Sequence, residues 1–240
     1  LLDAAARSAD AYDGAEASSP LPLTLTDVDF TYPGADHPAL RGVTLSLERP
    51  EFTVVVGHNG SGKSTLALLL AGAEPGSGTR QGGGVLGAVG GTALVGQRSE
   101  LLVLGQSVAE DVTWGMSAEQ SSGLDLDELL ERVGLDESLA MRYPGQLSGG
   151  QAQRVAIGRA LATNPAVIFA DEPTGALDQA TGGEVMSLLT SACASTGASL
   201  VLVTHDPAVA ARLPHTIHVR DGRISLEARG SGAPNQGVAR

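Results

Sequence analysis

Gly57-His-Asn-Gly-Ser-Gly-Lys-Ser-Thr65 is the stretch on which the fold turns. It satisfies G-x-x-x-x-G-K-[ST], the pattern of a phosphate loop, and its surroundings bear that reading out. Phe52–Val56 before it is a continuous apolar strand candidate, and Ser64–Ala71 after it carries a helical pattern. Glycines at 57, 60 and 62 let successive backbone N–H groups converge on an anion. The helix start beyond them adds a field favourable to negative charge. Lys63 is placed to reach β- and γ-phosphate oxygens and Ser64 to ligate Mg²⁺, with Asn59, Ser61 and Thr65 completing the loop. The bland alternative is a glycine-rich turn capping a helix. Of fifteen basic residues fourteen are arginine, and Lys63, the one lysine in the chain, stands where this chemistry needs it.

Two further segments carry chemistry. Val167-Ile-Phe-Ala-Asp-Glu172 is an apolar strand ending in two acids. In a parallel sheet ligands bind beyond the carboxyl ends of strands, so both acids are expected to face the phosphate loop. Asp171 is then the residue to hold Mg²⁺ through its water shell, and Glu172 the one to polarise an attacking water. Seen alone, the same two acids would merely open a surface loop. Leu147-Ser-Gly-Gly-Gln151 precedes a helical stretch, with Ser148 as its N-cap and Gly149, Gly150 and Gln151 supplying free N–H groups. This is a second anion-binding helix start, and its ordinary alternative is a capped helix behind a glycine turn.

In this order the three motifs resemble those of the ATP-binding cassette ATPases, with Leu147–Gln151 as the family's signature. The resemblance runs from Leu23 to Leu226. It implies a P-loop core with a mainly parallel sheet, a small antiparallel β subdomain and a helical subdomain that carries the signature. It also implies a head-to-tail dimer in which the signature of one domain closes over ATP on the phosphate loop of the other. Residue by residue, Tyr32 matches the aromatic that stacks on adenine. Gln97 matches the loop glutamine that touches Mg²⁺ and the membrane partner, although no aromatic precedes it and Gln106 competes for the assignment. Asp178, closing Gly175-Ala-Leu-Asp178, matches the loop that links the two active sites, and His205 the histidine at the γ-phosphate. ATP and Mg²⁺ are the implied cofactors. With Glu172 and His205 both present, an active ATPase is expected.

The rest of the chain fits one such domain. Residues 21–227 are expected to form the ATPase domain, with its helical subdomain at about 98–162, a linker or remnant of a longer chain at 1–20 and a flexible tail at 228–240. A short helix is expected at Leu1–Ser8. Further strands are expected at Leu23–Phe30, Val43–Leu47, Ala166–Ala170 and Ser199–Thr204, and helices at Asp125–Val133, Gly150–Ala162 and Gln179–Ala194. The glycine-rich Gln81–Gly91 has no clear period. Hydrophobic residues make up 42% of the chain and charged ones 18%, as in ordinary globular domains. No apolar run approaches the roughly 18–20 residues of a membrane span. A soluble chain is therefore expected, acting at the cytoplasmic face of the membrane through a permease partner. A net charge of −12 argues against nucleic acid. Cys193, the one cysteine, rules out an internal disulfide and paired-cysteine zinc sites.

Three kinds of cassette compete: transporter motors, DNA-repair types and ribosome-acting types. Between Lys63 and Leu147 there is no room for the coiled coil or zinc modules of repair relatives. Ribosome-acting relatives carry two cassettes and a basic linker. Within transporters, Leu129–Leu135, Asp171–Asp178 and Thr204–Pro207 resemble the lipoprotein-release and macrolide-export group. Phe30–Gly34 and Glu110–Gly115 resemble energy-coupling vitamin or metal importers, or fused exporters. The balance leans to export, with an energy-coupling importer as the alternative.

Overall fold

A strand without polar alternation is stable only where both of its faces are covered, and the central sheet is built on that requirement. The computed structural model describes residues 23–47, 52–72, 78–81, 91–97, 104–211 and 213–228. The expected linker with its short helix, the tail beyond 228 and most of Gln81–Gly91 lie outside these residues.

Among the described residues the strands form two sheets. The smaller is antiparallel, with β1 (Leu23–Thr31) between β2 (Leu40–Leu47) and β4 (Thr79–Gln81). The larger has the order β5-β6-β7-β3-β8-β9, from β3 (Phe52–Val56), β5 (Thr92–Val95), β6 (Val167–Asp171), β7 (Ser199–Val203), β8 (His215–Arg220) and β9 (Arg223–Ala228). Its first five strands are parallel, and β9 closes the edge as an antiparallel hairpin with β8. This is the expected mixed α/β architecture. The hairpin was not anticipated, and β9 reaches Ala228, the first residue assigned to the tail. Its signal was present in Asp221-Gly222, which takes φ of 50° and 76° between two alternating runs. That pair is the residue choice for a two-residue hairpin turn.

Successive residues of the inner strands feed two different cores. Val55, Val167, Phe169, Val201 and Val203 face the small sheet, where they meet Leu25, Phe30, Leu40 and Val43. Between the sheets lies α1 (Lys63–Leu70), which buries Leu66, Leu69 and Leu70 in the same cluster. A fully buried leucine of this kind contributes about 1.5–3 kcal/mol. On the other face Val54, Ile168, Ala170, Leu200 and Leu202 pack beneath the helices.

Between β5 and β6 the described chain is helical: α2 (Val108–Val112), α3 (Ala118–Ser122), α4 (Leu126–Arg132), two 3₁₀ turns, then α5 (Gly149–Ala162). The short α2 is fixed to α5 by a buried ion pair, Arg159 to Asp111 at 3.0 Å. The second function of Asp111 is to accept from the Leu104 and Gly105 amides at 2.6 and 3.2 Å. After β6 comes α6 (Gln179–Thr196), capped by Asp178 at its start and by left-handed Gly197 at its end, and α7 (Pro207–Ala210) follows β7.

Cys193, on α6, is wholly buried in the helical core, and burial pushes its thiol up to about 12 from 9.0. The native thiol keeps its proton where an unfolded cysteine has lost it. The associated stability is therefore intact below pH 9 and drains away as pH rises toward 12. Native protein at pH 8 should fail to react with an aromatic disulfide reagent over an hour, and should release one equivalent at once in denaturant. Rapid labelling without denaturant would contradict this burial.

Candidate functional site

Three adjacent strands, β6, β7 and β3, end at one edge of the large sheet, and each hands over to a segment with chemistry in it. Beyond β3 the chain turns through Gly57–Gly62. A side chain at Gly57 would run into the Val219 carbonyl, and one at Gly62, where φ is 107°, into the Ala39 carbonyl. Only glycine allows the loop to lie this close to β8 and to the approach to β2. The first turn of α1 has no side-chain cap, which leaves its N–H groups available to an incoming anion. Lys63 is 7% exposed and folds over the loop, donating from Nζ to the Gly57 and His58 carbonyls at 2.9 and 3.0 Å. The Ser61 hydroxyl is buried and has no hydrogen-bond partner among the described residues.

Beyond β6, Asp171 bonds to the Ser64 side chain. Its carboxyl is held above the ordinary range, first by burial and then by the charge of Glu172, with Ser64 and Lys63 pulling the other way. Glu172 follows with a left-handed backbone, φ 47°, a conformation that costs about 1–3 kcal/mol for a non-glycine residue. That kink lets its carboxylate accept from the Thr204 hydroxyl (3.1 Å) and the His205 amide (2.8 Å) and contact His205 Nδ1 at 2.5 Å. The glutamate is mostly covered whereas the His205 ring is open to solvent. With Nδ1 committed to the carboxylate, Nε2 is the ring nitrogen left for a further partner.

A cavity of about 790 Å³ joins these groups. Tyr32, Asn59, Gly60, Gly62, Lys63, Ser64, Thr65, Gln97, Asp171, Glu172 and His205 line it, as the sequence reading expects. Tyr32 stands at one end, edge-on to Phe30 with ring centroids 5.0 Å apart, and its hydroxyl meets Thr65 Oγ1 at 2.9 Å. Gln97, rather than Gln106, reaches the cavity: Gln106 sits on the surface with its amide on Glu110 at 2.8 Å. The sequence reading missed a wall made by His37, Arg41, Asp221 and Gly222, where the Arg41 amide donates to the Gly222 carbonyl at 2.7 Å.

Ser148, Gly149, Gly150, Gln151 and Asp178 lie outside this cavity. Ser148 and Gln151 form a reciprocal capping box at 3.3 and 3.0 Å. Asp178 is occupied by Thr181, whose hydroxyl is 2.7 Å away, and by the Ala180 and Thr181 amides. The Thr181 side chain is the main cause holding that exposed carboxyl below its usual range. The second phosphate-suited helix start thus takes no part in this cavity.

A family model described as "ABC transporter" matches residues 40–175, more than half of the chain. An uncharacterised ABC transporter ATP-binding protein of Mycobacterium tuberculosis is 45% identical over 188 residues, 78% of this chain and 26% of that one. The methionine import ATP-binding protein MetN of Caulobacter vibrioides is 39% identical over 85% of this chain and 66% of its own length. The macrolide export ATP-binding/permease protein MacB of Paracoccus denitrificans is 40% identical over 92% and 35%. The chain therefore spans between about a quarter and two thirds of the length of these curated relatives. Among solved structures, a dimeric post-hydrolysis ATP-binding cassette bound to ADP and Pi superposes with a TM-score of 0.71 at 33% identity, over 88% of this chain and 100% of that one. Fold, loop geometry and kinship agree: this chain belongs to the ABC transporter family and is one of its ATP-binding cassettes.

Proposed function

We propose that this chain is the ATP-hydrolysing motor of a transporter, pairing with a second cassette around two ATP molecules. One observation carries the reading. The phosphate loop, Asp171, Glu172, His205 and Gln97 meet in one cavity, while the capped Ser148 helix start stands outside it and requires another molecule to be useful. Tyr32 supplies an aromatic face for adenine at the cavity's end.

The residues divide the work. Lys63, now bonded to two loop carbonyls, exchanges those neutral acceptors for phosphate oxygens, a stronger charge-assisted bond. Ser64 and Asp171 offer a hydroxyl and a carboxylate side by side, hard oxygen donors suited to Mg²⁺, and Gln97 adds an amide oxygen on the same cavity. When bound, Mg²⁺ neutralises charge on the phosphate oxygens. Glu172 orients and polarises the attacking water, and His205 steadies that carboxylate through Nδ1 while presenting Nε2 to the γ-phosphate. Closing two copies over the nucleotides is driven by contacts that ATP makes only in the closed state, and hydrolysis withdraws them.

Among the described residues no helix is long and apolar enough to cross a membrane. The reading therefore assigns the crossing to a permease, at whose cytoplasmic face this cassette would work. Similarity to MacB along 92% of the chain supports export. Similarity to MetN supports import as the second reading, the direction of the energy-coupling vitamin or metal importer expected from sequence.

Replacing Lys63 by Ala should weaken ATP binding at least tenfold by calorimetry. Glu172→Gln should lower turnover by about 10²–10⁴ while leaving ATP binding intact. Light scattering after size exclusion should show this variant as a monomer alone and a dimer with Mg-ATP. A variant with full turnover would remove Glu172 from its assigned role, and one that binds ATP yet stays monomeric would point to a different cassette as partner. Asp171→Asn should raise the melting temperature of nucleotide-free protein in EDTA at pH 7, because it removes a carboxylate whose charged form burial disfavours. The gain should vanish as pH falls and the native Asp171 takes up its proton; a gain that grows on acidification would reverse the assignment.

A further inference from the structure

The helix that opens with Ser148 is held against its own chain at two places, and both lead to Gln97. At its start, a Cβ on Gly149 would come within 3.3 Å of Leu177 Cδ2, and one on Gly150 within 2.6 Å of Thr181 Cγ2. The first turn of α5 thus rests directly on the segment that follows Glu172. That segment includes Gly175, where a Cβ would lie 2.9 Å from Gln97 Nε2. Farther along α5, Gln153 is 2% exposed and donates from Nε2 to the Gly96 carbonyl at 3.2 Å. Gly96 is the residue bonded to Gln97. Gln153 follows Ser148 by five positions, about 7.5 Å along the helix axis. Gln97, which lines the cavity, is therefore flanked by Gly175, on the segment against which the first turn of α5 rests, and by Gly96, held by Gln153 of the same helix.

We propose that Gln153 is a positioning residue that ties the first turn of α5 to the occupancy of the same chain's own nucleotide cavity, acting through Gly96 and Gln97. This rests on the two-cassette reading above. A buried glutamine is often no more than a satisfied core amide. Here its acceptor is the backbone of a cavity-lining loop, and its helix carries the half-site used across the dimer. Nucleotide that draws Gln97 inward moves the Gly96 carbonyl, and the Gln153 amide passes that displacement to α5. The two nucleotides of a dimer would then be coupled in binding, and by linkage the coupling acts equally in both directions.

The test uses Glu172→Gln protein and two further substitutions within it. Gln153→Met keeps length without a donor, and Gln153→Glu sets an acceptor against the Gly96 carbonyl. Mg-ATP affinity is measured by calorimetry at concentrations where the parent is monomeric, and the dimer dissociation constant by light scattering. The inference expects nucleotide affinity within twofold of the parent and dimerisation about tenfold weaker, the share of roughly one hydrogen bond. Unchanged dimerisation overturns it, and so does equal loss of nucleotide binding, which marks a merely structural amide. Should the parent itself not dimerise, the two-cassette reading fails separately. For that case, or for variants that misfold, hydrogen exchange on dilute monomeric wild type decides. Mg-ATP must change protection at Gly96–Gln97 and at the first turn of α5 together; a response at Gln97 alone sinks the proposal.

Discussion

Hydrogen-bond register among three parallel strands is the constraint on which the rest depends. Val55 lies opposite Val203, and Val203 opposite Asp171, so the carboxyl ends of β3, β7 and β6 are level. Level ends are what bring Lys63, His205 and the Asp171-Glu172 pair into one cavity. The register is enforced from both sides. Ile168, Leu200 and Val54 fill one core while Phe169, Val201 and Val55 fill the other. A slip of one residue would send every side chain of a strand to the wrong core and shift its terminal residue by about 3.3 Å. Burial on both faces thus sets the spacing of these cavity residues, which no loop interaction has to hold alone.

The sequence disclosed this scaffold because its signals are local. A glycine-rich loop between an apolar strand and a helix, or an apolar strand ending in two acids, can be read within ten residues. The N-cap expected at Ser148 is also a short-range pattern and is present, while the reciprocal bond from Gln151 and the cap at Asp178 were equally local and went unread. What else escaped depends on distant segments coming together. Arg41 joins the cavity wall only because its amide pairs with Gly222, and Gln153 matters only because α5 passes the Gly96 carbonyl. The choice of Gln97 over Gln106 followed a family pattern without its usual aromatic. Geometry, not composition, separates the two. The Asp221-Gly222 turn is different: its signal was in the sequence and went unread.

The site also has strain where chemistry is assigned. Glu172 sits in the left-handed region and is over-determined by its surroundings, since its amide donates to the Val203 carbonyl at 2.8 Å while its carboxylate takes two partners. Lys63 is similarly occupied by loop carbonyls rather than idle. Internal hydrogen bonds thus hold both side chains at the cavity, which limits the rearrangement that binding demands.

The position of β3 has a consequence for how the molecule is made. The strand that feeds the phosphate loop is central, yet its two neighbours, β7 and β8, begin only at Ser199 and His215. During synthesis the loop and α1 emerge long before either flank exists, and β3 must wait with both edges unpaired for most of the chain to follow. A nascent cassette therefore carries a complete phosphate-loop sequence without the sheet that shapes it. Long-range parallel pairing of this sort is slow and leaves apolar edges open to misassociation. The Asp221–Gly222 part of the cavity wall, held to Arg41, can form only after β8 has been made.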